Sequence, residues 1–443
     1  QLELRNPGER VAEHYRRLFY ARAYFALVGR WIRQFDVAER YRSGSTEFDD
    51  RGVIYVRHGE PTTRAFFNAR DIPLNESWRY ARSDGDLIFH FAAREDVQDF
   101  RLVESLLDVL GYSRTVQLQN TDGLLSDPIA AELVVSREQF APIYQQLLTS
   151  GRMGLGRTIA EERLQGQASV RRGTTSDSYE RRFAEPLEAR CQVAAVGIAA
   201  QQPLLQVSCG VPGRALTPVR LNEGYLYTVR LHFTATDEAG RVVAAVDTTR
   251  RFLAPAPIPA SEFQVGLVTV PVTATGTLGF RLALEHGERA GVIFERDEVV
   301  VAPIRPSRLT LSDLAIGRRG ANVRWRPTPG DTVFFNPVGT FRRNETLELY
   351  YEVYGATVGE RHKTELSVRK GAGRGASYQV GQSGAGGSRF SLDFEELSPP
   401  GPWRVQRSLS LEKLKPGDYT IEVAVTSGNG TREVRRRAFR VTD

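Results

Sequence analysis

The stretch that decides the fold is FDDRGVIYVRHGEP, residues 48–61. Its β-branched and aromatic run, Val53 to Val56, stops abruptly at Gly59 and Pro61. Short apolar runs bounded by glycine and proline are typical of buried strands that enter a turn. The sequence therefore predicts a central strand at 53–56, with the tetrapeptide RHGE at 57–60 directly at its end.

The RHGE tetrapeptide suggests a hypothesis of phosphoryl chemistry. It resembles the nucleophile motif of the histidine phosphatases, which implies that His58 attacks phosphate while Arg57 holds its oxygens, with Glu60 as the acidic candidate beside them. Such a site needs several cationic groups because charge builds on the transferring phosphoryl group. A second histidine is expected but not found in a matching context. His90 lies within a strand and has no glycine after it. An envelope phosphohydrolase is therefore kept as an alternative only.

Composition bounds the function. The 443 residues suggest about three domains, and no apolar run approaches the ~18 residues of a membrane span. The net charge is +6, and all but four of the 59 basic residues are arginine. Because acidic residues are interspersed with the arginines, we predict no nucleic-acid partner, while an anionic membrane surface stays open as a partner. No His/Cys spacing suits a metal, so we predict neither a metal site nor a cofactor.

The first 185 residues predict an α+β N-terminal head. Apolar residues recur at helical spacing between residues 7 and about 42, which indicates a helix packed on a sheet: Tyr15, Leu18, Phe19, Phe25, Val28, Ile32 and Phe35. The runs at 77–80 and 87–91, joined by Asp84-Gly85, predict a hairpin. Its residues Trp78, Tyr80 and His90 are binding candidates for a glycan or peptide groove. Aromatic hairpin residues are, however, more often core.

The remaining sequence changes to a period of two. Tyr225, Tyr227, Val229, Leu231 and Phe233 alternate with polar residues, which is typical of strands with one buried face. Several such strands separated by turns indicate a β-sandwich at 186–304. A second alternating region predicts another sandwich, of immunoglobulin-like type, at 305–443. The predicted fold is thus an α+β head followed by two all-β sandwich (Ig-like) domains.

The two cysteines lie in neighbouring strand-like runs. Cys191 and Cys209 are equidistant from a hairpin turn near Ala200, so they would face each other across the ladder. A cross-strand disulfide fits this arrangement, and two buried free thiols are the alternative. A disulfide would imply an oxidising compartment. The chain opens at Gln1 without an initiator methionine, and with the cysteine pairing this favours removal of a signal peptide. We therefore expect an exported protein, in the periplasm, on the outer surface or in the medium.

These segments together resemble the GWxTD-domain proteins of bacteria. The resemblance begins with the aromatic helix near the start of the chain. It continues through three later segments: DRGVIYV and GEP in residues 50–61, NESWRY with LIFHF at 75–91, and NPVG with LELYYEVY at 336–354. At the motif that names the family, Glu47-Phe48-Asp49-Asp50 replaces the expected residues, with Phe48 supplying an aromatic anchor. The resemblance implies an exported protein with a helix-and-sheet head, β-rich C-terminal domains and no catalytic residues. Within the family, RHGE at 57–60 is one variant of a strand-to-turn junction, which Asp50 and Arg51 are expected to cap and brace.

The predicted function is therefore a non-enzymatic exported bacterial scaffold or assembly protein. Protein partners or self-association are expected, because β-modules with exposed edges add strands readily. The alternatives are the phosphohydrolase that uses Arg57 and His58, and a glycan- or peptide-binding module that uses the hairpin aromatics.

Overall fold

The structure is a computed structural model that describes residues 7–27, 41, 45–70, 72–94, 99–118, 123–178, 180–303, 308–320, 323–371 and 388–443. The fold is mostly β and contains several sheets, with 47% strand and 22% helix. The chain divides into two compact units, Gln1–Ala184, which we call the head unit, and Glu185–Asp443, which we call the β unit. The predicted head ends within one residue of the first of these units.

Among the described residues, the head unit has two helices, then four consecutive strands, then four further helices. Its helices are α1 (Pro7–Tyr24), α2 (Asp50–His58), α3 (Tyr112–Leu118), α4 (Pro128–Val135), α5 (Pro142–Thr149) and α6 (Arg152–Thr175), with 3-10 turns at Leu106–Leu110, Leu124–Ser126 and Glu138–Phe140. Its strands are β1 (Thr63–Phe67), β2 (Asn75–Tyr80), β3 (Leu87–Arg94) and β4 (Asp99–Val103). The strands form one antiparallel sheet in chain order.

Residues 53–56 lie inside helix α2, so the predicted central strand is wrong. The Asp49 side chain caps the helix by accepting a backbone N–H at 2.9 Å, and Gly59 ends it with a φ of 73°. The buried positions include one set that recurs every four residues, the spacing of a helix face: Asp50, Ile54 and His58. The β-branched run misled because strand propensity is weak where burial of one helix face decides.

The sheet of the head unit is covered on both faces. One face, with Trp78 and Phe89 opposite each other, packs against α1 and α2. The other face packs against α4 and α5, through apolar residues such as Ala92 and Leu133. The predicted β2–β3 hairpin is thus confirmed, with its aromatic side chains turned into the core.

Helix α1 presents a different face to the sheet from the one predicted. Phe25 is buried as expected and Tyr20 is buried too, but Tyr15 and Phe19 are 53% and 63% exposed. On the buried face of α1, Arg17 lies one turn before Tyr20 and Glu13 lies two turns before it. These two residues form an ion pair at 2.7 Å. The predicted continuation of the helix to about residue 42 falls largely outside the described residues.

Helix α6 approaches the sheet closely because it carries glycine where it touches β3 and the residue that follows β4. A Cβ atom on Gly166 would lie 1.7 Å from the carbonyl oxygen of Glu104. A Cβ atom on Gly173 would lie 2.2 Å from the ring of Phe89. Any larger residue at these two positions would push the helix off the sheet, so they fix the distance at which α6 packs.

The β unit begins with a sandwich of two sheets. Its strands are β5 (Glu185–Pro186), β6 (Arg190–Ala199), β7 (Gln202–Pro212), β8 (Val219–Leu221), β9 (Gly224–Thr236), β10 (Val242–Ala254), β11 (Phe263–Pro271), β12 (Gly276–His286) and β13 (Ala290–Val301). One sheet has the order β10-β9-β12-β13-β5 with β8 on β9, and the other has the order β11-β7-β6. Alternate residues of β9, among them Tyr227 and Phe233, fill the shared core as the period-two pattern predicts.

A second set of sheets follows. Its strands are β14 (Thr310–Leu311), β15 (Ala315–Arg318), β16 (Arg324–Trp325), β17 (Val333–Phe334), β18 (Thr340–Arg342), β19 (Thr346–Tyr354), β20 (Arg361–Lys370), β21 (Ser388–Leu397), β22 (Trp403–Ser410), β23 (Gly417–Thr426) and β24 (Arg432–Thr442). The larger sheet has the order β18-β24-β23-β20-β21 and shares a core with the sheet around β19. This forms a second sandwich, as predicted.

The two sandwiches are joined inside the β unit by a third apolar cluster. It contains Ala194 and Val196 of β6 together with Phe335 and Tyr350 of the second sandwich. Asp313 strengthens the junction, because its carboxylate accepts the backbone N–H of Ala195 at 2.9 Å and its own N–H donates to the same residue's carbonyl at 3.0 Å. Burial raises the pKa of Asp313 above its ordinary value. The predicted boundary at 304–305 therefore separates two sheet pairs that pack as one unit.

The predicted disulfide is confirmed. Cys191 of β6 lies opposite Cys209 of β7 and is bonded to it. The turn uses Ala200 and Gln201, both at positive φ, and a bulge after Ala195 sets the register. The bond links β6 to β7 a few residues before the part of β6 that packs at the junction between the sandwiches. It therefore helps to hold β6 in place there.

Candidate functional site

His58 ends helix α2 and points into the core of the head unit. The residue is 3% exposed, and its Nε2–H donates to the Gly173 carbonyl at 2.7 Å. The ring packs beside Tyr80 and Phe89, with centroid distances of 5.5 and 6.1 Å. Burial lowers the pKa of His58 to about 4, so the imidazole is neutral at pH 7. Its Nδ1 atom has no hydrogen-bond partner among the described residues.

A small cavity lies beside this ring. It is lined by His58, Tyr80, Arg82, Ser178, Glu180 and Arg182 and has a volume of about 10 Å³. That is room for about one water molecule, which is less than a phosphoryl group needs. Of its two arginines Arg182 is paired with Glu180 at 2.8 Å, and the described residues that line the cavity include no second histidine.

The other two candidate catalytic residues have partners of their own. Arg57 pairs with Asp177 at 2.9 Å on the surface. Glu60 is buried and accepts two hydrogen bonds from Arg64, at 3.0 and 2.9 Å. The structure therefore does not bring Arg57, His58 and Glu60 together around one substrate position.

The hairpin candidates for ligand binding lie in the core. Trp78 is 0% exposed, its indole N–H donates to Glu76, and its ring packs against Phe25 and Phe91. Tyr80 is also buried, and its hydroxyl donates to the Gly59 carbonyl at 2.8 Å. Neither side chain is placed to line a surface groove.

His90, the third of these candidates, belongs to a buried polar network. Its Nδ1 lies 2.8 Å from the Ser77 hydroxyl, and its Nε2 lies 2.9 Å from the Tyr144 hydroxyl. Arg137, which is 0% exposed, donates from Nε to the same Ser77 oxygen at 2.8 Å. Burial and the nearby Arg137 charge lower the pKa of His90 to about 3, so the ring is uncharged.

Glu162 of α6 completes this network, and the sequence analysis missed it. Its carboxylate accepts the Leu106 backbone N–H at 2.8 Å and the Ser105 hydroxyl, and it lies 4.0 Å from His90 Nε2. Burial raises the pKa of Glu162 to about 7. Helical spacing could have revealed it, because it falls on the inward face of α6 among a regular set of buried positions: Leu155, Ile159, Gly166, Val170 and Gly173.

This network joins elements rather than presenting a reactive group. Glu162 binds the start of the Leu106–Leu110 turn, and Arg137 links the α4–α5 connection to β2 through Ser77 and Asn75. Buried polar groups with satisfied partners specify one arrangement of the core. Within the described part of the chain, no group of three or more His, Cys, Asp or Glu side chains could hold a metal ion. Nor do the described helices include one that is long and apolar enough to cross a membrane.

Comparisons with known proteins add little. No protein-family model matches the sequence, and no curated protein matches it significantly. Among solved structures, the chain is similar to the fibronectin(III)-like modules of Clostridium thermocellum CbhA, at 10% identity and a TM-score of 0.16 over 57% of this chain and 93% of that one. It is also similar to red sea bream transglutaminase, at 13% identity and a TM-score of 0.18 over 64% of this chain.

A third similar structure is dimeric latent PorU from Porphyromonas gingivalis, at 14% identity and a TM-score of 0.23 over 57% of this chain. The chain spans 34% of the transglutaminase and 20% of PorU. Similarities of this size say nothing about what the chain does.

Proposed function

We propose that this chain is a non-enzymatic exported scaffold or assembly protein. The observation that carries the proposal is the placement of the candidate chemical groups. His58, Trp78, Tyr80 and His90 are all buried and engaged in contacts that hold the head unit together. Groups used in this way stabilise the fold, so contacts with other molecules fall to residues at the surface.

Export is supported by the Cys191–Cys209 disulfide. Disulfides form and persist in oxidising compartments such as the periplasm and the extracellular space. An anionic membrane surface remains a candidate neighbour for a chain with a net charge of +6. Immunoglobulin-like topology of the second sandwich is part of the same proposal.

Membership of the GWxTD-type proteins is likewise proposed, and the contacts of the signature residues support it. Phe48 lies against Gly52, where a Cβ atom would come within 2.4 Å of the Phe48 ring. Asp50 accepts the Leu102 backbone N–H at 2.9 Å, which attaches α2 to the sheet. Arg51 lies 3.6 Å over the Phe100 ring and pairs with Glu76 at 3.3 Å. Bracing by Arg51 and an aromatic anchor at Phe48 agree with what the resemblance implies, whereas the expected capping by Asp50 is wrong, because Asp49 caps α2.

Static light scattering of the full chain tests the assembly proposal directly. We expect the weight-average mass to rise as the protein is concentrated, because weak edge contacts are populated by mass action. A strict monomer at every concentration, with no partner recovered from the native envelope fraction, would contradict the proposal.

The phosphohydrolase hypothesis makes a different prediction. The neutral His58 ring lies beside Arg82 and Arg182, as a phosphate-attacking imidazole would. The adjoining cavity, however, holds about one water molecule and has no room for a phosphoryl group. We expect no phosphate release by the wild type or by His58→Ala above a buffer blank. Release by the wild type that disappears in the variant would establish the enzyme instead.

The glycan- or peptide-binding hypothesis, as first based on Trp78, Tyr80 and His90, requires these buried side chains to become accessible. A glycan array with the full chain checks this. Binding that is lost in Trp78→Phe, a variant that keeps most of the packing, would support that hypothesis against the scaffold proposal.

A further inference from the structure

A groove in the β unit follows the edge of a strand. It has a volume of about 660 Å³ and is lined by residues 267–269 of β11, Arg250 of β10, and residues 324–326 at the β16 hairpin. Successive side chains of a strand point to opposite faces of the sheet. Three consecutive residues can therefore share one groove only where it runs along the strand's edge. Within the described residues β11 pairs only with β7, so its outer edge is open at this groove.

The groove is strongly cationic. Arg250, Arg324 and Arg326 line it, are exposed, and have no acidic partner among the described residues. Elsewhere in the β unit arginines commonly pair with carboxylates; Arg230 and Asp247, for example, approach to 2.8 Å. Three uncompensated guanidinium groups at one open strand edge favour an acidic, extended ligand.

Trp325 gives the groove a fixed aromatic wall. Its indole packs on Gly197, where a Cβ atom would lie 2.3 Å from the ring, and the φ of Gly197 is 96°. The ring also meets Tyr350 edge-on, at a centroid distance of 6.2 Å. An aromatic wall held in this way is available for a side chain of the ligand at little cost in conformational entropy.

A second open edge, of opposite charge, lies on the other sandwich. Strand β21 pairs only with β20 in the described part of the chain. It carries the acidic sequence DFEE at 393–396, in which Asp393 pairs with Lys363 at 3.3 Å and Glu396 pairs with Arg407, while Glu395 is exposed with no partner among the described residues. Leu392 and Leu397 on the same strand are 42% and 62% exposed. Long exposed edges with apolar side chains are templates for strand addition.

We infer that the β11 groove binds the β21 edge of a second copy of this chain by strand addition. The backbone edges of the two strands would pair, Asp393 and Glu395 would meet the groove arginines, and a leucine of β21 would contact Trp325. This inference rests on the assembly function proposed above and names its partner. Since the two surfaces differ, the contact is head-to-tail, which produces rings or filaments rather than a closed twofold dimer.

Charge reversal tests the inference. The variant Arg324→Glu/Arg326→Glu should weaken self-association at least tenfold by light scattering, and Asp393→Arg/Glu395→Arg should do the same. Combining all four substitutions in one chain should restore association, because each copy again offers complementary edges. All four side chains are on the surface, so unfolding transitions should match the wild type.

A matched control excludes a general effect of charge. Arg220→Glu/Arg251→Glu changes the net charge by the same amount at exposed arginines that do not line the groove, and it should associate like the wild type. Association that survives the groove variant would overturn the inference while leaving the assembly function standing. Failure of the four-fold variant to restore association would also count against it.

A peptide measurement addresses the groove without assembly. A synthetic peptide of residues 388–397, SRFSLDFEEL, should bind the full chain and change tryptophan fluorescence, and the groove variant should bind it at least tenfold more weakly. Equal binding of a scrambled peptide of the same composition would mean that the groove accepts acidic segments in general, which would overturn the assignment to a second copy. No binding of either peptide, together with a monomeric wild type, would overturn both the inference and the assembly function.

Discussion

The head unit and the β unit solve the problem of burial differently. The head unit places charged and hydrogen-bonding side chains in its interior, among them Arg137 at 0% exposure and Glu162 at 2%. The β unit has two main apolar clusters of residues that alternate along strands, and the charged side chains that it buries are mainly carboxylates, such as Glu352, which accepts hydrogen bonds from the Tyr350 and Tyr354 hydroxyls. Its arginine pairs lie mainly at the surface, and among its described arginines only Arg435, at 9% exposure, is buried.

The difference distinguishes polar side chains that hold the core together from those that are available to contact another molecule. In the head unit, a conspicuous polar residue such as His58 or His90 marks a core contact, because its hydrogen bonds end on protein groups. In the β unit, Arg324, Arg326 and Glu395, which have no charged partner in the part of the chain that the structure describes, lie beside open strand edges, where another chain can reach them. The same residue types therefore call for opposite interpretations in the two units.

The largest expected effect breaks the close packing of the head unit. Gly166→Ala would place a Cβ atom 1.7 Å from the Glu104 carbonyl oxygen, which neither backbone can avoid without moving. We expect the free energy of unfolding of the head unit to fall by about 4 kcal/mol, at the upper end of overpacking costs. Hydrogen exchange of α6 amides would measure this separately from the β unit.

Gly156→Ala is the matched control on the same helix. No heavy atom lies within 4 Å of the Cβ position there, and the residue is exposed. Because alanine favours the helix over glycine, the variant should be more stable by about 0.5–1 kcal/mol. Loss of stability in both variants would show that α6 tolerates no change at all, against the packing explanation.

An intermediate effect comes from the buried charge of Glu162. Its pKa in the folded chain is about 7, above the ordinary 4.5. The stability it contributes is therefore present at low pH and is lost as pH rises through 7. Relative to the non-titrating Glu162→Gln, the wild type should lose about 2 kcal/mol of unfolding free energy between about pH 5 and pH 8.

Urea unfolding of both proteins across this pH range gives the measurement. A difference that stays constant with pH would mean that Glu162 titrates normally, so that the network around His90 is less well shielded from solvent than its burial indicates.

The smallest expected effect is at the surface of the β unit. Arg230 donates two hydrogen bonds to Asp247 across β9 and β10, at 3.0 and 2.8 Å, but both side chains are nearly half exposed. Arg230→Ala should cost less than about 1 kcal/mol, since solvent already screens such pairs. Thermal unfolding should give a melting temperature close to that of the wild type. A large fall in melting temperature would mean that surface ion pairs stabilise the β unit as much as buried ones stabilise the head unit.

The sequence predicted the β unit better than the head unit for a physical reason. Alternation along β9 and the turn between Cys191 and Cys209 are local patterns that fix strand register and the disulfide. The run at 53–56 has strand-like composition but is helical, because capping by Asp49 and burial of one face outweigh propensity. Glu162 was missed because the sequence alone does not distinguish a buried glutamate from an exposed one when its hydrogen-bond partners are distant in the chain.

The groove could not be predicted for another reason. Arg250 and Arg324 are more than seventy positions apart, and only the packing of the second sandwich on the first brings them together. Local patterns carry no information about such contacts, whereas the open edges of β11 and β21 follow from the sheet order.

The measurement that tests the central claim most directly is light scattering of three full-length proteins at matched concentrations: the wild type, His58→Ala and Arg324→Glu/Arg326→Glu. The account predicts that the wild type and the folded His58 variant associate alike, while the groove variant remains a monomer. An associating groove variant beside a monomeric, folded His58 variant would contradict it, because the contacts would then depend on the head unit.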